Sequence, residues 1–179
     1  MKIIETRNEL MTHFSKEMVV GELGVFKGEF SEVLYNTLKP KELYLVDIWK
    51  GQFGSGDKDG KNHTVVDDME VVYNGLKEKY APTPEVKLVR SDTQTFLLKC
   101  PNNSFDLIYV DADHTYQAVL NDLQLSFLKV KHGKFLTGHD YIQGGEVYAA
   151  VNNFCYVYQQ KISAITKDGC PSFVIQVEK

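Results

Sequence analysis

Arginine is nearly missing from this 179-residue chain, which has only Arg7 and Arg90, and the formal net charge is -4. A surface that reads phosphates usually relies on arginine forks and a basic balance, so nucleic acid is not an expected partner. Cysteine is scarce as well. Cys100, Cys155 and Cys170 are odd in number and far apart, which excludes a disulfide framework and a C-x-x-C metal site and reads as reduced thiols in a cytoplasmic protein. No apolar run approaches membrane-spanning length, and MKIIETRNEL carries charges where a signal peptide needs its apolar segment, so no membrane association is expected. What is present is a hydrophobic content of 43%, enough for one domain over residues 1–179 with a proper core.

Apolar runs of strand length alternate with amphipathic stretches, the pattern of βα units around a parallel sheet. After a short polar N-terminal helix, the strand candidates are Met18 to Val25, Leu43 to Trp49, Val86 to Asp92, Phe105 to Asp113 and Lys134 to Tyr141. Helical spacing places Phe30, Val33, Leu34 and Leu38 on one face, as it does Val119, Leu120, Leu123 and Phe127, and Val147, Ala150, Val151 and Phe154. The C-terminal runs Ile162 to Thr166 and Phe173 to Val177 flank KDGCPS, which suits a turn rather than a crossover, so the last strand is expected to be antiparallel. Lys50 to His63, rich in glycine and charge, reads as a mobile surface loop beside the mouth of the sheet.

Three of the apolar strands finish on acids: Glu22, Asp47, and the Asp111, Asp113, His114 group of FDLIYVDADHTY. Open α/β sheets bind ligands outside the carboxyl ends of their strands, so these acids face the expected crevice. Gly24-Val-Phe-Lys-Gly28 turns the first strand into a helix, and Asp47 follows about 20 residues on, as for an acid that holds ribose hydroxyls. Phe26 stands where a glycine must let the backbone approach a pyrophosphate, so the pattern favours a nucleoside ligand without phosphates, and Glu22 could receive its ammonium. Tight-turn packing by Gly24 and Gly28 and helix capping by Ser91, Asp92 and Thr93 are the structural alternatives.

Taken in order, E-x-G-x-x-x-G at Glu22 to Gly28, the acid of LVDIW, Ser91-Asp92-Thr93, VDADHTY, Asp122 on the next helix and His139-Asp140-Tyr141 resemble the class I S-adenosylmethionine-dependent methyltransferases. They are most similar to a small single-domain family with the pattern V-D-[GA]-D-H-[ST]-Y. The resemblance implies a Rossmann-like fold: a seven-stranded, mostly parallel sheet with the last strand antiparallel and helices on both faces. It also implies that Glu22, Gly24 and Gly28 line the methionine end of the cofactor, that Phe26 of the same turn belongs to the cofactor site, and that Asp47 holds the ribose. Trp49 or its neighbours would shield the adenine, Ser91, Asp92 and Thr93 would sit at its amine, and Asp111 would border the site.

Asp111, Asp113, His114, His139 and Asp140 would meet at one rim, where carboxylates with imidazole can hold a divalent ion or take a proton from a hydroxyl. VDADHTY also resembles catechol and caffeoyl-coenzyme A type O-methyltransferases, which implies Mg2+ or a similar cation at Asp111, with His139 and Asp140 replacing the usual Asp-Asn pair. The expected activity is methyl transfer to a small-molecule acceptor, on oxygen, with His114 as base and Asp111 or Asp140 orienting it or binding metal. The acceptor pocket would come from the N-terminal helix, the Lys50 to His63 loop, the segment after Tyr141, or a second subunit of a homo-oligomer. The rival readings are a nucleotide-sugar or dinucleotide enzyme and a non-catalytic cofactor-binding protein.

Overall fold

The computed structural model describes the backbone of residues 1–55 and 65–179 and the side chains outside 52–67. In chain order the elements are β1 (Lys2–Ile4), α1 (Arg7–Met11), β2 (Val19–Leu23), α2 (Glu29–Leu38), β3 (Glu42–Asp47), β4 (Gln52–Ser55), β5 (Val65–Asp68), α3 (Met69–Tyr80), β6 (Val86–Arg90), α4 (Thr93–Lys99), β7 (Phe105–Val110), α5 (Tyr116–Lys129), β8 (Val130–Gly138), α6 (Glu146–Val157), β9 (Ile162–Thr166) and β10 (Phe173–Gln176). The main sheet runs β1-β9-β10-β8-β7-β2-β3-β6. Within it only β10 is antiparallel to its neighbours, β8 and β9. The mixed α/β sheet of methyltransferase type is as expected, but it has eight strands rather than seven. The extra one is β1, three residues paired in parallel with β9, too short to carry an alternation that would announce it.

Strand β7 is buried along its whole length, as a central parallel strand covered on both faces must be. One face packs Val20, Leu43, Leu45, Leu107 and Tyr109 against α1, α2 and α3. The other packs Leu23, Val46, Ile108, Val110 and Leu136 against α4, α5 and α6. Period-2 alternation therefore assigns each strand residue to a layer, and Glu22 falls on the α2 side with Val20.

Part of the segment read as a loop is ordered pairing: Gln52–Ser55 runs antiparallel to Val65–Asp68. The remainder of that Lys50 to His63 expectation, from residue 56 on, lies outside the described residues. Among the described residues no helix is long and apolar enough to cross a membrane.

Candidate active site

The carboxyl ends of β2, β3, β6 and β7 open onto one cleft of about 780 Å³, a size usual for a small-molecule site. Its floor is the turn after β2. Gly24, Phe26 and Gly28 all have positive φ, at 91°, 52° and 79°. At Gly24 glycine is obligatory, since a Cβ would stand 2.0 Å from the Asp111 carbonyl oxygen. Phe26 has no such freedom, and Asp47 holds it in place: Asp47 Oδ2 accepts the N–H groups of Val25 and Phe26, both at 2.9 Å. Asp47 Oδ1 accepts the N–H of Trp49, also at 2.9 Å. The acid read as a ribose ligand is thus also the clamp of the turn, and a carboxylate has about four acceptor positions, so one remains, on Oδ1.

Glu22 is 1% exposed and bonded by Ser31 Oγ at 2.5 Å. Burial pushes its carboxyl up to about 8, against the lowering effect of the Ser31 bond. Without a ligand Glu22 therefore holds a proton at neutral pH, and a cationic group arriving in the cleft would favour its release.

At the opposite end Asp92 caps α4, accepting the Thr95 N–H at 2.8 Å, and Asp113 accepts the Thr115 N–H at 2.7 Å ahead of α5. The capping alternative is correct for Asp92, whereas Asp113 braces the turn before Thr115, the N-cap of α5; both also line the cleft. Trp49 does not: it is fully buried, packs on Tyr73 with centroids 5.0 Å apart and donates its indole N–H to the Phe26 carbonyl. The apolar side chain offered to the cleft is its neighbour Ile48, 54% exposed. Both residues lie just past the end of β3, and Trp49 takes a left-handed backbone, φ 36°, with its indole in the core.

Where β7 and β8 end, four of the expected residues converge. His114 Nε2 lies 3.4 Å from Asp111 Oδ1 and 3.3 Å from Asp140 Oδ2. His139 Nδ1 lies 3.7 Å from the same Asp111 oxygen and 3.4 Å from the same Asp140 oxygen. The Asp111 hydrogen bond, with the nearby acids, raises the His114 pKa above its usual value. Asp140 adopts φ 53°, a conformation unusual outside glycine that recurs at functional sites. Asp111, His139 and Asp140 can present three ligand atoms within 4.8 Å of one another. Asp111 and His114 line the cleft, whereas His139 and Asp140 stand behind them.

Among the cleft residues that lay outside the expected site are Arg7 and Asp122. Arg7, from α1, lies 3.7 Å from Asp111 Oδ2 and 4.5 Å over the Phe30 ring, and its backbone N–H is fixed by Asp168 at 2.8 Å. Its rarity was the available sign. Asp122, on α5, is 2% exposed and accepts the Thr93 hydroxyl at 2.6 Å. Burial raises its pKa to about 6. It belonged to the motif but had been given no role.

Residues 22–141 match a family model described as a methyltransferase domain. The chain belongs to that methyltransferase family. No curated protein matches it in sequence. Among solved structures it resembles SMU.1697c, a putative methyltransferase from Streptococcus mutans in complex with SAH (12% identity, TM-score 0.65, 94% of each chain covered). It also resembles the N-methyltransferase NodS from Bradyrhizobium japonicum WM9 (14% identity, TM-score 0.64, 97% of this chain and 95% of that one). A third is the B. subtilis M1A22 tRNA methyltransferase TrmK (10% identity, TM-score 0.64, 98% of this chain and 67% of that one). The enzyme class expected from the motifs, an S-adenosylmethionine-dependent methyltransferase, is the one that the family and fold support. The dinucleotide and non-catalytic readings fall away.

Proposed function

We propose that the protein transfers the methyl group of S-adenosylmethionine to the oxygen of a small-molecule acceptor, with His114 as base. The carrying observation is that Asp111 and His114 line the same cleft as Glu22 and Asp47, so a nucleoside held by the latter pair points its reactive end at the former. The donor set fits the cofactor: Asp47 keeps an acceptor position for ribose, buried Glu22 faces the ammonium, Gly24, Phe26 and Gly28 shape the floor, and Ile48 covers the base. Ser91, Asp92 and Thr93 border the base edge. When bound, the cofactor supplies an already activated methyl, so the protein's task is alignment and proton removal.

Both carboxylates face Nε2 of His114, so that nitrogen carries the proton and Nδ1 is left to take one from the acceptor hydroxyl. Asp111 and Asp140 then stabilise the imidazolium as it forms, the role a buried acid plays in a catalytic triad. Arg7 keeps a positive charge beside Asp111, and Phe30 beneath it excludes water from that side.

A small acceptor is favoured over nucleic acid because both arginines already face acids, Arg7 at Asp111 and Arg90 at Glu70 (2.7 Å), and the charged groups lining the cleft are mainly carboxylates.

The cluster of Asp111, His139 and Asp140 favours a second reading, in which a divalent ion holds the acceptor oxygen. One imidazole with two carboxylates suits manganese, iron or zinc at least as well as Mg2+. The metal would lower the hydroxyl pKa and hold the oxygen in line.

Titration calorimetry with S-adenosylhomocysteine and NAD, followed by methyl-transfer assays on a hydroxyl-bearing acceptor panel with and without chelator, tests both readings. Under the first, His114→Ala lowers turnover about 100-fold or more with S-adenosylhomocysteine affinity nearly unchanged, and chelator has no effect. Under the second, chelator abolishes turnover and Mn2+ or Mg2+ restores it. Tight NAD binding with no heat from S-adenosylhomocysteine would sink the cofactor assignment.

A further inference from the structure

Resting on the methyl-transfer reading above, the inference concerns which acceptors the cleft takes. The chain has two arginines, and their donors are used differently. Arg90 is spent on structure: Nη1 meets Glu70 at 2.7 Å, Nη2 the Trp49 carbonyl at 2.6 Å and Nε the Ile48 carbonyl at 3.3 Å. Arg7 is not. The acid beside it, Asp111, stands 3.7 Å from Nη1, outside hydrogen-bond range, and among the described residues no carboxylate engages its planar fork of N–H donors. The side chain is 30% exposed and lines the cleft.

Two constraints hold that fork in place. The ring of buried Phe30 lies 4.5 Å from its centre, a stack that orients a guanidinium while using none of its N–H donors. The backbone is tied down separately. Tyr109 Oη bonds Ser172 Oγ at 2.8 Å, the Ser172 N–H donates to Thr166 Oγ1 at 2.7 Å, the Thr166 hydroxyl donates to Asp168, and Asp168 Oδ2 accepts the Arg7 N–H at 2.8 Å. Tyr109, Thr166 and Ser172 are buried, so α1 starts on a polar network rooted in the centre of the sheet.

The place Arg7 occupies is the acceptor end. Asp111 presents Oδ2 to Arg7 and Oδ1 to His114, so guanidinium and imidazole stand at either side of one carboxylate, within the span of a small molecule. Lys27 and Lys50, the lysines lining the cleft, follow β2 and β3 and belong to the nucleoside end. We propose that Arg7 receives a carboxylate of the acceptor, so that the substrates are hydroxy acids whose hydroxyl lies at His114. A planar carboxylate can take two parallel N–H bonds from the fork. A phosphate dianion would bring a second negative charge to a rim already holding Asp111 and Asp113, with a single arginine to balance it, and is disfavoured.

The test titrates 3-hydroxybenzoate and lactate, each beside its primary amide, and 3-hydroxyphenyl phosphate into the protein saturated with S-adenosylhomocysteine. Calorimetry gives the affinities. Magnetic resonance of arginine labelled with heavy nitrogen gives a second readout, because the chain has only two Nε–H groups and Arg90→Lys identifies that of Arg7. At least one acid should bind about 10-fold or more tighter than its amide and shift the Arg7 signal while that of Arg90 stays. The phosphate should bind no better than the acid. Arg7→Gln should abolish the acid preference, and Arg7→Lys should keep only part of it, because a point charge cannot make the paired bonds. Lys27→Gln and Lys50→Gln should leave it intact. Both Arg7 variants retain the backbone N–H bonded to Asp168, so S-adenosylhomocysteine affinity should be nearly unchanged in them. Equal binding of acid and amide, a preference that survives Arg7→Gln, an acid that moves only the Arg90 signal, or tighter binding of the phosphate overturns this inference alone. If Arg7→Gln does not fold, an unmoved Arg7 signal or an undiminished preference in Arg7→Lys overturns it. A parent that does not bind S-adenosylhomocysteine overturns the methyl-transfer reading, and this inference with it.

Discussion

Replacing Asp47 tests the link between the ribose site and the turn beneath it. Asp47→Ala removes the acceptor of three backbone N–H groups, those of Val25, Phe26 and Trp49. Hydrogen bonds to a charged group are worth about 1.5–3 kcal/mol each. The Phe26 N–H is exposed and can turn to water, so its loss counts little, whereas those of Val25 and Trp49 are partly shielded. Two such losses give about 3–6 kcal/mol, which relaxation of the left-handed Phe26 reduces by up to about 1 kcal/mol. That is a large share of a typical total of about 5–15 kcal/mol. Asp47→Asn keeps one oxygen and should lose roughly half as much. Urea unfolding should show the midpoint falling in the order parent, Asn, Ala at constant m. At a temperature where Asp47→Ala is folded, S-adenosylhomocysteine binding should also weaken, by about 1–3 kcal/mol. An unchanged midpoint in Asp47→Ala would refute the clamp, and unchanged binding in a folded variant would refute the ribose role.

Glu22 has a folded pKa, about 8, above its unfolded value, so its contribution to stability is fully present below about pH 4.5 and is lost as pH rises through about 8. Melting temperatures of the ligand-free protein should decline across that window less steeply in Glu22→Gln than in the parent; parallel profiles would contradict the assignment. Binding of a cationic cofactor at pH 7 should release a proton from the same carboxyl, visible as a buffer-dependent heat that Glu22→Gln lacks. Gly24→Ala should cost more than about 3 kcal/mol or prevent folding, because its Cβ meets the Asp111 carbonyl at 2.0 Å and its φ is 91°; thermal melting decides. Trp49→Phe, which keeps one aromatic ring but loses the N–H bonded to Phe26 and leaves a cavity at a fully buried position, should lower stability by about 2–4 kcal/mol and leave the apparent affinity of the folded protein for S-adenosylhomocysteine within about threefold, measured by chemical denaturation and calorimetry.

The five main strands and three of the helices were legible because apolar periodicity is a local property: Phe105 to Val110 could hardly be anything but a buried strand. The acids at the strand ends were legible for the same reason, since parallel β2, β3 and β7 bring Glu22, Asp47 and Asp111 to one rim. What stayed hidden depended on contacts across the chain. Whether Trp49 or Ile48 faces the ligand depends on which layer Tyr73 of α3 fills, and α3 itself, Met69–Tyr80, has a weakly apolar stripe. Arg7 reaches the site only because β1 pairs with β9, a partner far away in sequence. Asp122 could be seen as a motif residue, but the donor that half-satisfies it, Thr93, sits on a different helix.

That pairing of β1 with β9 also orders events in time. The strand that holds α1 against the sheet cannot find its partner until residues 162–166 are available, and Arg7 is pinned by Asp168 in the turn just beyond. Contacts of such long sequence separation form late because the entropy of closing a large loop precedes their reward. The central strands β2, β3 and β7 can therefore assemble the nucleoside cradle while the acceptor side is still open, and the wall carrying Arg7 closes last. In a growing chain, affinity for the nucleoside would mature before the capacity for turnover.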